Sequence, residues 1–455
     1  MKQSIAVVSF LPDAGHVLPL LRVAAEFFER GYNVVCYLPQ ECANYLSGYE
    51  FEFVSLGPAI NDVVRASYDK VLLKLSRSSV FYNAFSSYID LSSRYWEPLK
   101  LSADHQLALI QPRLANQRPL FLLSDDHVFR IFRSLYIKIA HELEIPIILH
   151  SADGYLPFQS EYVQVYGISD LSRRWQMLIE YLGSGSKNLF KLRELLNRLR
   201  RSISKGVFEQ IRAHVLSRAN RATVDSTYQP ITFSTGWGFL EKKYLKSKLR
   251  ICDDLFVFGP LIGKSTSKLP ANLKQWLERS SAPTVYISFG TLVRLEVEFV
   301  QAILDGLALL NVRALWSIPK SQRAELFPKL RIQESVRFSD FVPPLEVLAI
   351  PNVRCGINHG GSGSIQDCLL SGKPMLCIPF MWDQPFNSSV IVHLQVGKRL
   401  WRRQVSVGMI SQTIGSMLYD EQIALRASKL AACLHHSCRG SDVVEFILRS
   451  TVATS

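Results

Sequence analysis

A histidine near the beginning of the chain and a carboxylate further on could together carry out acid–base chemistry. His16 follows the apolar segment at residues 5–10, and Asp125 and Asp126 end another apolar segment that begins at residue 120. If the two segments are parallel strands of one sheet, their carboxyl ends meet at the edge where ligands bind. There a carboxylate would fix the imidazole tautomer and stabilise the imidazolium formed when the histidine removes a proton. The spacing alone leaves open whether His16 is a general base or a structural hydrogen-bonding residue, and which aspartate is its partner.

Residues 355–387 concentrate a second kind of chemistry. An apolar segment stops at a turn rich in glycine and serine, a helical pattern follows, and residues 375–379 form another apolar segment. The glycines let the backbone approach a ligand closely. Backbone N–H groups and the positive dipole end at the start of the helix form a site for phosphate. The order of these elements predicts a nucleotide-binding α/β unit.

Asp383 and Gln384 follow the second of these apolar segments. A carboxylate that only accepts hydrogen bonds, beside an amide that donates and accepts them, suits the vicinal hydroxyl groups of a sugar. The alternative is an ordinary capped turn, and the spacing does not choose between them.

Two commoner nucleotide-binding motifs fit less well. Residues 259–265 resemble a P-loop, but the glycine spacing is one residue short, Pro260 lacks an N–H group, and no helical pattern follows. The glycines of residues 361–363 resemble a dinucleotide fingerprint, but Gln366 stands at the third glycine position. We therefore expect neither a P-loop nor NAD binding.

The chain offers little for a metal ion. Residues 433–438 contain two cysteines and two histidines, but a helix would spread these side chains around its circumference. No Asp-x-Asp pair stands at a strand end to hold a divalent cation against a diphosphate. We expect no metal site and no cofactor.

Composition bounds the class of protein. With 455 residues, 48% of them hydrophobic and 20% charged, the chain predicts a globular protein of two or three domains. No apolar segment is long enough to span a bilayer, and the apolar segment near the start is too short for a secretory signal. The eight scattered cysteines are typical of reduced thiols. We expect a cytoplasmic protein.

The net charge of +13 is concentrated in one region. Basic residues alternate with leucines between residues 187 and 221, which predicts a basic amphipathic helical region rather than a polar tail. We expect a helix that packs on the core and leaves its basic face in solvent. Docking to the inner face of an anionic membrane is the alternative, and we expect no nucleic-acid partner.

These candidate residues need an α/β scaffold to position them, and the chain has the pattern for two. A helix predicted at residues 19–30 leaves His16 in the loop after the first strand, and a helix is predicted at residues 364–371 after the glycine turn. A segment rich in turns and prolines, residues 225–283, separates the two series. The strands are predicted at residues 5–10, 33–38, 51–56, 120–123, 145–149 and 256–260, and then at 284–289, 313–318, 336–338, 353–357 and 375–379.

Four motifs resemble those of the inverting, nucleotide-sugar-dependent family 1 glycosyltransferases of GT-B fold. They are DAGHVLPLL at residues 13–21, FGPL at 258–261, VYISFGTL at 285–292, and the long segment at 341–387. The GGSGS turn looks closer to bacterial members that modify carotenoids, lipids or macrolides than to plant members.

The resemblance implies two Rossmann-like domains that face a cleft. Residues 1–240 would bind the acceptor, residues 241–435 would bind the nucleotide sugar, and residues 436–455 would form a helix that crosses back to the first domain. Carried over by position, His16 and Asp125 would be catalytic. The donor would be bound by Gly290, Thr291, Phe341, Val342, His359, Gly361, Gly363, Ser364, Asp367, Asp383 and Gln384.

The resemblance also implies a role for each donor residue. Val342 would meet the base through its backbone, and Phe341 stands where plant members have a stacking tryptophan. Asp367 takes the place of the ribose-binding glutamate, with a shorter side chain. Asp383 and Gln384 would bind the sugar hydroxyls. The diphosphate would be held by His359, Gly361, Gly363 and Ser364, and Thr291 would lie beside the phosphates.

The hypothesis is a hexosyltransferase that uses a UDP-sugar, UDP-glucose or a relative, and a hydroxyl group of a lipophilic small molecule. The nucleotide sugar is then a co-substrate rather than a cofactor. Two alternatives are a membrane-lipid glycosyltransferase docked through the basic region, and a non-catalytic scaffold that binds nucleotide sugar. The sequence does not indicate the acceptor, the sugar or the oligomeric state.

Overall fold

Alternating strands and helices build two separate parallel sheets. The computed structural model describes residues 3–10, 12, 14–58, 96–125, 130–151, 231–240, 256–261, 268–380, 383–437 and 440–452. All of them lie in one unit, Met1–Tyr155 with Ile231–Ser455. The second unit, Leu156–Pro230, and with it the predicted basic region at 187–221, lies outside the described residues.

Thirteen strands are found among the described residues. They are β1 (Ser4–Val8), β2 (Asn33–Leu38), β3 (Glu52–Ser55), β4 (Leu122–Asp125), β5 (Ile147–Ser151), β6 (Ile231–Thr235), β7 (Phe256–Phe258), β8 (Thr284–Ser288), β9 (Arg313–Ser317), β10 (Val336–Ser339), β11 (Val353–Asn358), β12 (Met375–Cys377) and β13 (Gly397–Arg399).

Twelve α-helices are found in the same part of the chain. They are α1 (Ala14–Glu29), α2 (Trp96–Gln117), α3 (Arg130–Glu142), α4 (Ala271–Glu278), α5 (Val297–Ala308), α6 (Lys320–Leu326), α7 (Pro344–Leu348), α8 (Ser362–Leu370), α9 (Gln384–His393), α10 (Val407–Tyr419), α11 (Glu421–Ser437) and α12 (Gly440–Val452).

The two sheets repeat one strand order. The first sheet runs β3-β2-β1-β4-β5-β6-β7 and the second runs β10-β9-β8-β11-β12-β13. Counted within each half, both contain the order 3-2-1-4-5-6 of doubly wound nucleotide-binding folds, in which the strand order reverses between the first and fourth strands. Ligands bind in the crevice at that reversal, so the ends of β1 and β4 and of β8 and β11 are the places to look for a site. The predicted α/β class, with two parallel-sheet domains, is confirmed.

Burial explains why these segments form central strands. Every residue of β1 after Ser4 is buried, and so are all residues of β4 and β5, as expected for a parallel sheet with helices on both faces. Val17, Leu20 and Phe27 of α1 pack with β1 in the first core. Burial of each such side chain contributes roughly 1.5–3 kcal/mol to folding.

Helix α12 packs in the first core although it follows the second sheet. Val443, Val444 and Ile447 lie in the same cluster as β1 and α1, while Leu434 of the preceding helix, α11, belongs to a core of the second sheet. At Gly440 an added Cβ atom would clash with the Glu26 carboxyl group. The backbone of Gly440 therefore packs directly against α1 and leaves no room for a side chain.

Three details differ from the sequence prediction. Helix α1 begins at Ala14 instead of residue 19, because a proline one and a half turns into a helix removes a single hydrogen bond and does not stop the turns before it. Strand β4 extends through Asp125. Strand β7 pairs with β6, so the first sheet uses residues beyond the predicted division at 240.

No helix of the described residues has the length and apolar character that a bilayer-spanning segment requires.

Candidate active site

His16 and Asp125 lie side by side at the strand-order reversal of the first sheet. His16 is in the first turn of α1, directly after β1, and is 9% exposed. Asp125 is the last residue of β4 and is 1% exposed. Their Nδ1 and Oδ2 atoms are 3.6 Å apart, which is ion-pair distance. The structure therefore brings the two predicted residues together. Asp126, the alternative partner, lies outside the described residues.

The environment of Asp125 has opposing effects on the pKa of its carboxyl group. Burial is the largest effect and raises the pKa of the carboxyl group. Neighbouring His16 and hydrogen bonds from the Ser9 and Tyr136 hydroxyl groups favour the ionised form and partly oppose that rise. The Tyr136 Oη atom lies 3.2 Å from Asp125 Oδ1.

His150 is a neighbour that the sequence prediction missed. It pairs with Asp125 in the register of β4 and β5, and its Nε2 lies 2.8 Å from Thr235 Oγ1. Burial, and secondly the nearby His16, lower the pKa of His150 to about 3. This second imidazole is therefore neutral at ordinary pH. The sequence could have indicated His150 through its position one residue after the strand predicted at residues 145–149.

The glycine turn after β11 needs its glycines for reasons of geometry. Gly360 has φ +83°, and a Cβ atom there would lie 2.9 Å from the backbone oxygen of Gln384. Asn358 Oδ1 accepts the Gly360 N–H at 2.8 Å, and Asn387 Nδ2 donates to the Gly360 carbonyl at 2.9 Å. These two asparagines, which we did not predict, hold the turn in place.

His359 is enclosed by two glycines that belong to different loops. A Cβ atom at Gly290 would lie 3.0 Å from its Nε2, and one at Gly361 would lie 2.5 Å from the same atom. Gly290 also has φ +71°, which disfavours any other residue. Burial lowers the pKa of His359 to about 4. The imidazole is therefore neutral near pH 7 and can donate one hydrogen bond.

Helix α8 starts close to this imidazole. It begins at Ser362, two residues before the predicted start, and Gly361 is its N-cap. Gly363 is exposed, with no heavy atom within 4 Å of where its Cβ would be. Ser364 is half-buried and Thr291 is exposed. The first turn of α8 thus presents N–H groups and small side chains, which is the arrangement that binds anions.

Asp367 lies in the second turn of α8 and is buried. With Ser288, Ser364 and Pro344 it lines a cavity of about 20 Å³. The cavity has room for about one water molecule. Arg22 of α1 places Nη2 3.4 Å from Asp367 Oδ1. Burial raises the pKa of Asp367, and Arg22 opposes that rise.

The remaining predicted donor residues differ in exposure. Phe341 is 67% exposed, whereas Val342 is fully buried. Asp383 accepts a hydrogen bond from Asn387 Nδ2. The buried Gln384 uses its Oε1 to accept the Phe380 N–H at 2.9 Å, so that oxygen supports the turn. Asp383 is the N-cap residue of α9 without a side-chain capping bond.

The described residues contain no group of three or more histidine, cysteine, aspartate or glutamate side chains that could hold a metal ion. In the stretch at 433–438, His435 Nε2 lies 2.8 Å from the Leu370 carbonyl oxygen, and His436 Nδ1 lies 2.7 Å from that of Ala432. Cys433 is exposed, and Cys438 lies outside the described residues.

The arrangement of two doubly wound sheets is the GT-B fold of glycosyltransferases. The glycotransferase of kitacinnamycin superposes with a TM-score of 0.64 at 19% identity, over 99% of each chain. The spinosyn rhamnosyltransferase SpnG, solved with thymidine diphosphate, superposes with a TM-score of 0.61 at 16% identity, over 98% of this chain and 100% of its own.

Sequence comparison finds similarity to known glycosyltransferases. Residues 244–449 match the family described as UDP-glucoronosyl and UDP-glucosyl transferase. UDP-glycosyltransferase UGT4 of Dactylopius coccus is 23% identical over 419 residues, which is 86% of this chain and 75% of the relative. Other curated relatives match over less than half of their own length. The C-terminal region of the chain is thus similar to the UDP-glucoronosyl and UDP-glucosyl transferases, and this similarity together with the GT-B fold supports glycosyl transfer from a nucleotide sugar.

Proposed function

We propose that this protein transfers a hexosyl group from a UDP-sugar to a hydroxyl group of a lipophilic small molecule and inverts the anomeric centre. His16 removes the proton of the acceptor hydroxyl, and Asp125 stabilises the imidazolium that forms. The hydroxyl oxygen attacks the anomeric carbon through an oxocarbenium-like transition state, and the bond from that carbon to the diphosphate breaks. Attack from the face opposite the diphosphate inverts the centre.

One structural relationship supports this proposal above the others. His16 and Arg22 lie six residues apart on α1, about 9 Å along the helix axis. Arg22 contacts Asp367 on α8, the helix that begins at the glycine turn. The helix that carries the proposed base therefore touches the helix that carries the proposed phosphate site.

The leaving diphosphate would be stabilised by groups already in place. The N–H groups at the start of α8, the neutral imidazole of His359 and the Ser364 hydroxyl can each donate to it. Because these donors are fixed before the reaction, little reorganisation is needed as negative charge develops. A metal-independent reaction stays a prediction from the lack of an Asp-x-Asp pair in the sequence.

The choices of donor and acceptor have separate support. The family supports uridine diphosphate, while the spinosyn enzyme, solved with thymidine diphosphate, makes thymidine diphosphate the competitor to test. The two matched structures carry the names of kitacinnamycin and spinosyn transferases, which supports a small-molecule acceptor. Docking to a membrane through residues 187–221 stays a prediction, since that region lies outside the described residues.

The test is a transfer assay with a panel of UDP- and TDP-sugars and hydroxylated lipophilic acceptors. The His16→Ala variant should lose transfer by about 100-fold or more, the usual contribution of a general base. It should still bind UDP as the wild type does in calorimetry. His105→Ala is the matched control, because His105 is exposed on α2. NMR of the product should show a β-linkage from an α-linked donor.

Three outcomes would count against the proposal. Undiminished transfer by His16→Ala would remove the role given to His16. An α-linked product would contradict inversion. A wild-type protein that binds UDP but neither transfers nor hydrolyses any donor would favour the non-catalytic scaffold.

A further inference from the structure

Tyr136 lies behind the His16–Asp125 pair, and its hydroxyl group bonds the Phe10 backbone as well as Asp125. The Phe10 N–H lies 3.1 Å from the Tyr136 hydroxyl oxygen, and that oxygen lies 3.2 Å from Asp125 Oδ1. A backbone N–H can only donate, so the hydroxyl oxygen accepts from Phe10. The single hydroxyl proton is then directed to Asp125.

The position of Tyr136 is fixed by packing as well. Tyr136 and Phe10 are each 1% exposed, and their rings stack with centroids 5.0 Å apart and 25° between planes. The hydroxyl group cannot turn to solvent. It binds one oxygen of the Asp125 carboxylate, and the other oxygen, Oδ2, lies 3.6 Å from His16 Nδ1.

A buried carboxylate needs such donors to act as an anion. Burial favours the protonated form of Asp125, and a protonated carboxyl group would not stabilise an imidazolium. The hydroxyl groups of Ser9 and Tyr136 both favour the ionised form. Tyr136 binds Oδ1, and the other oxygen, Oδ2, is the one that faces His16.

We propose that Tyr136 is a positioning residue for glycosyl transfer: its hydroxyl group holds the Asp125 carboxylate with Oδ2 toward His16. The inference rests on the proposed function, because it needs His16 as the base. Tyr136 does not touch the substrate and acts through Asp125.

The titratable groups around this carboxylate are few among the described residues. They are His16 on α1, Tyr136 on α3 and His150 on β5. Burial holds the pKa of Tyr136 well above its usual value, so its hydroxyl stays protonated, and it lowers the pKa of His150 to about 3, so that ring stays neutral. The acid limb of a pH–rate profile would therefore report the His16–Asp125 pair as a unit.

The test compares Tyr136→Phe with the wild type in kcat and KM for donor and acceptor across pH. Loss of a hydrogen bond to the carboxylate makes the pair more basic, so the acid limb should move to higher pH by about one unit. The kcat at neutral pH should fall about tenfold or more, with the donor KM within about twofold, since general-base catalysis is impaired and donor binding is not. Tyr37→Phe is the matched control, because that buried tyrosine donates to Gln117 Oε1 at 2.7 Å in the same domain.

A second variant keeps the fold intact if Tyr136→Phe is unstable. Replacing Tyr136 by 3,5-difluorotyrosine gives a more acidic phenol of nearly the same shape, so the acid limb should move to lower pH. An acid limb that neither replacement shifts, in protein that still transfers sugar, would overturn the inference and leave the proposed function standing. Retained transfer by His16→Ala would overturn both.

Discussion

The guanidinium group of Arg22 lies 3.4 Å from the carboxylate of Asp367, and this contact joins a helix of the first sheet to a helix of the second. Both side chains are mostly buried. Burial raises the pKa of Asp367, whereas the positive charge of Arg22 opposes that rise. The ionisation of Asp367, which we propose binds the ribose, thus depends on a residue of the other half of the chain.

Arg22→Ala should therefore change how UDP binding depends on pH. Without the guanidinium the pKa of Asp367 rises further, because the charge that opposes the effect of burial is gone. If ribose hydroxyls donate to the ionised carboxylate, protonation of Asp367 should weaken UDP binding. As the pH is lowered, the UDP affinity of Arg22→Ala should therefore begin to fall at a higher pH than that of the wild type. Calorimetry from pH 5 to 8 measures this.

The matched control for that experiment is Arg30→Ala. Arg30 lies on the same helix and pairs with Glu26, away from Asp367. It should leave the pH dependence unchanged. An identical pH course for Arg22→Ala and the wild type would mean that Asp367 does not bind the nucleotide as an anion.

Asp125→Asn should lower transfer about 100-fold or more without loss of stability at neutral pH. The pKa of Asp125 in the folded state is raised above its value of about 3.9 in the unfolded chain. Stability therefore falls as pH rises from that value through the folded-state pKa, because the buried ion costs free energy. The asparagine avoids this cost and can still accept from Tyr136.

The measurement is Tm by calorimetry from pH 4 to 8. The Tm of the wild type should fall relative to that of Asp125→Asn as pH rises, while transfer by the variant drops about 100-fold or more. Asp125→Ala, which leaves the Tyr136 hydroxyl without its acceptor, should be less stable than both. A variant Asp125→Asn clearly less stable than the wild type at neutral pH would show that the ionised pair stabilises the fold.

Gly361→Ala and Gly363→Ala distinguish an effect on the position of His359 from an effect on ligand binding alone. A methyl group at 361 would lie 2.5 Å from His359 Nε2 and displace the imidazole, whereas one at 363 meets no heavy atom within 4 Å. Gly361→Ala should weaken UDP binding about tenfold through loss of one hydrogen bond to an anion. Gly363→Ala should keep the wild-type Tm and yet bind UDP less tightly, because its methyl group would occupy open space at the start of α8, where we propose that the diphosphate binds.

Thermal shift without ligand and calorimetry with UDP check both variants. Wild-type UDP affinity in Gly361→Ala would be evidence against contact between His359 and the diphosphate. Wild-type affinity in Gly363→Ala would place the diphosphate elsewhere.

Phe341→Ala should weaken UDP binding without affecting the unliganded protein. Phe341 is 67% exposed, so its removal leaves no cavity in a core. Stacking of a base on an aromatic side chain is worth about 1–3 kcal/mol, which corresponds to about 5- to 150-fold in affinity. Tyr419→Ala is the control, since that ring is 76% exposed on α10. Equal UDP affinity in the two variants would exclude stacking on Phe341.

Local patterns in the sequence were enough for much of the architecture. Short buried strands, helical periodicity and the glycine turn at 358–364 each depend on neighbouring residues, and the α/β class and most strand positions followed from them. Helix starts were less accurate. His16 was expected in a loop and lies in the first turn of α1, because capping and packing move a helix start by several residues without changing its apolar pattern.

The contacts that give the site its chemistry were decided by the tertiary structure. Arg22 meets Asp367 across 345 positions of sequence, and Phe10 meets Tyr136 across 126. No local pattern carries such a pairing, since it depends on which strands are neighbours and how the helices pack on them. The sequence by itself thus determined the α/β class and pointed to the His16–carboxylate pair and the glycine turn as candidates. Strand order and packing placed His16, Asp125, Tyr136 and His150 around one another and brought α1 against α8, because burial acts on surfaces that form only when distant segments meet.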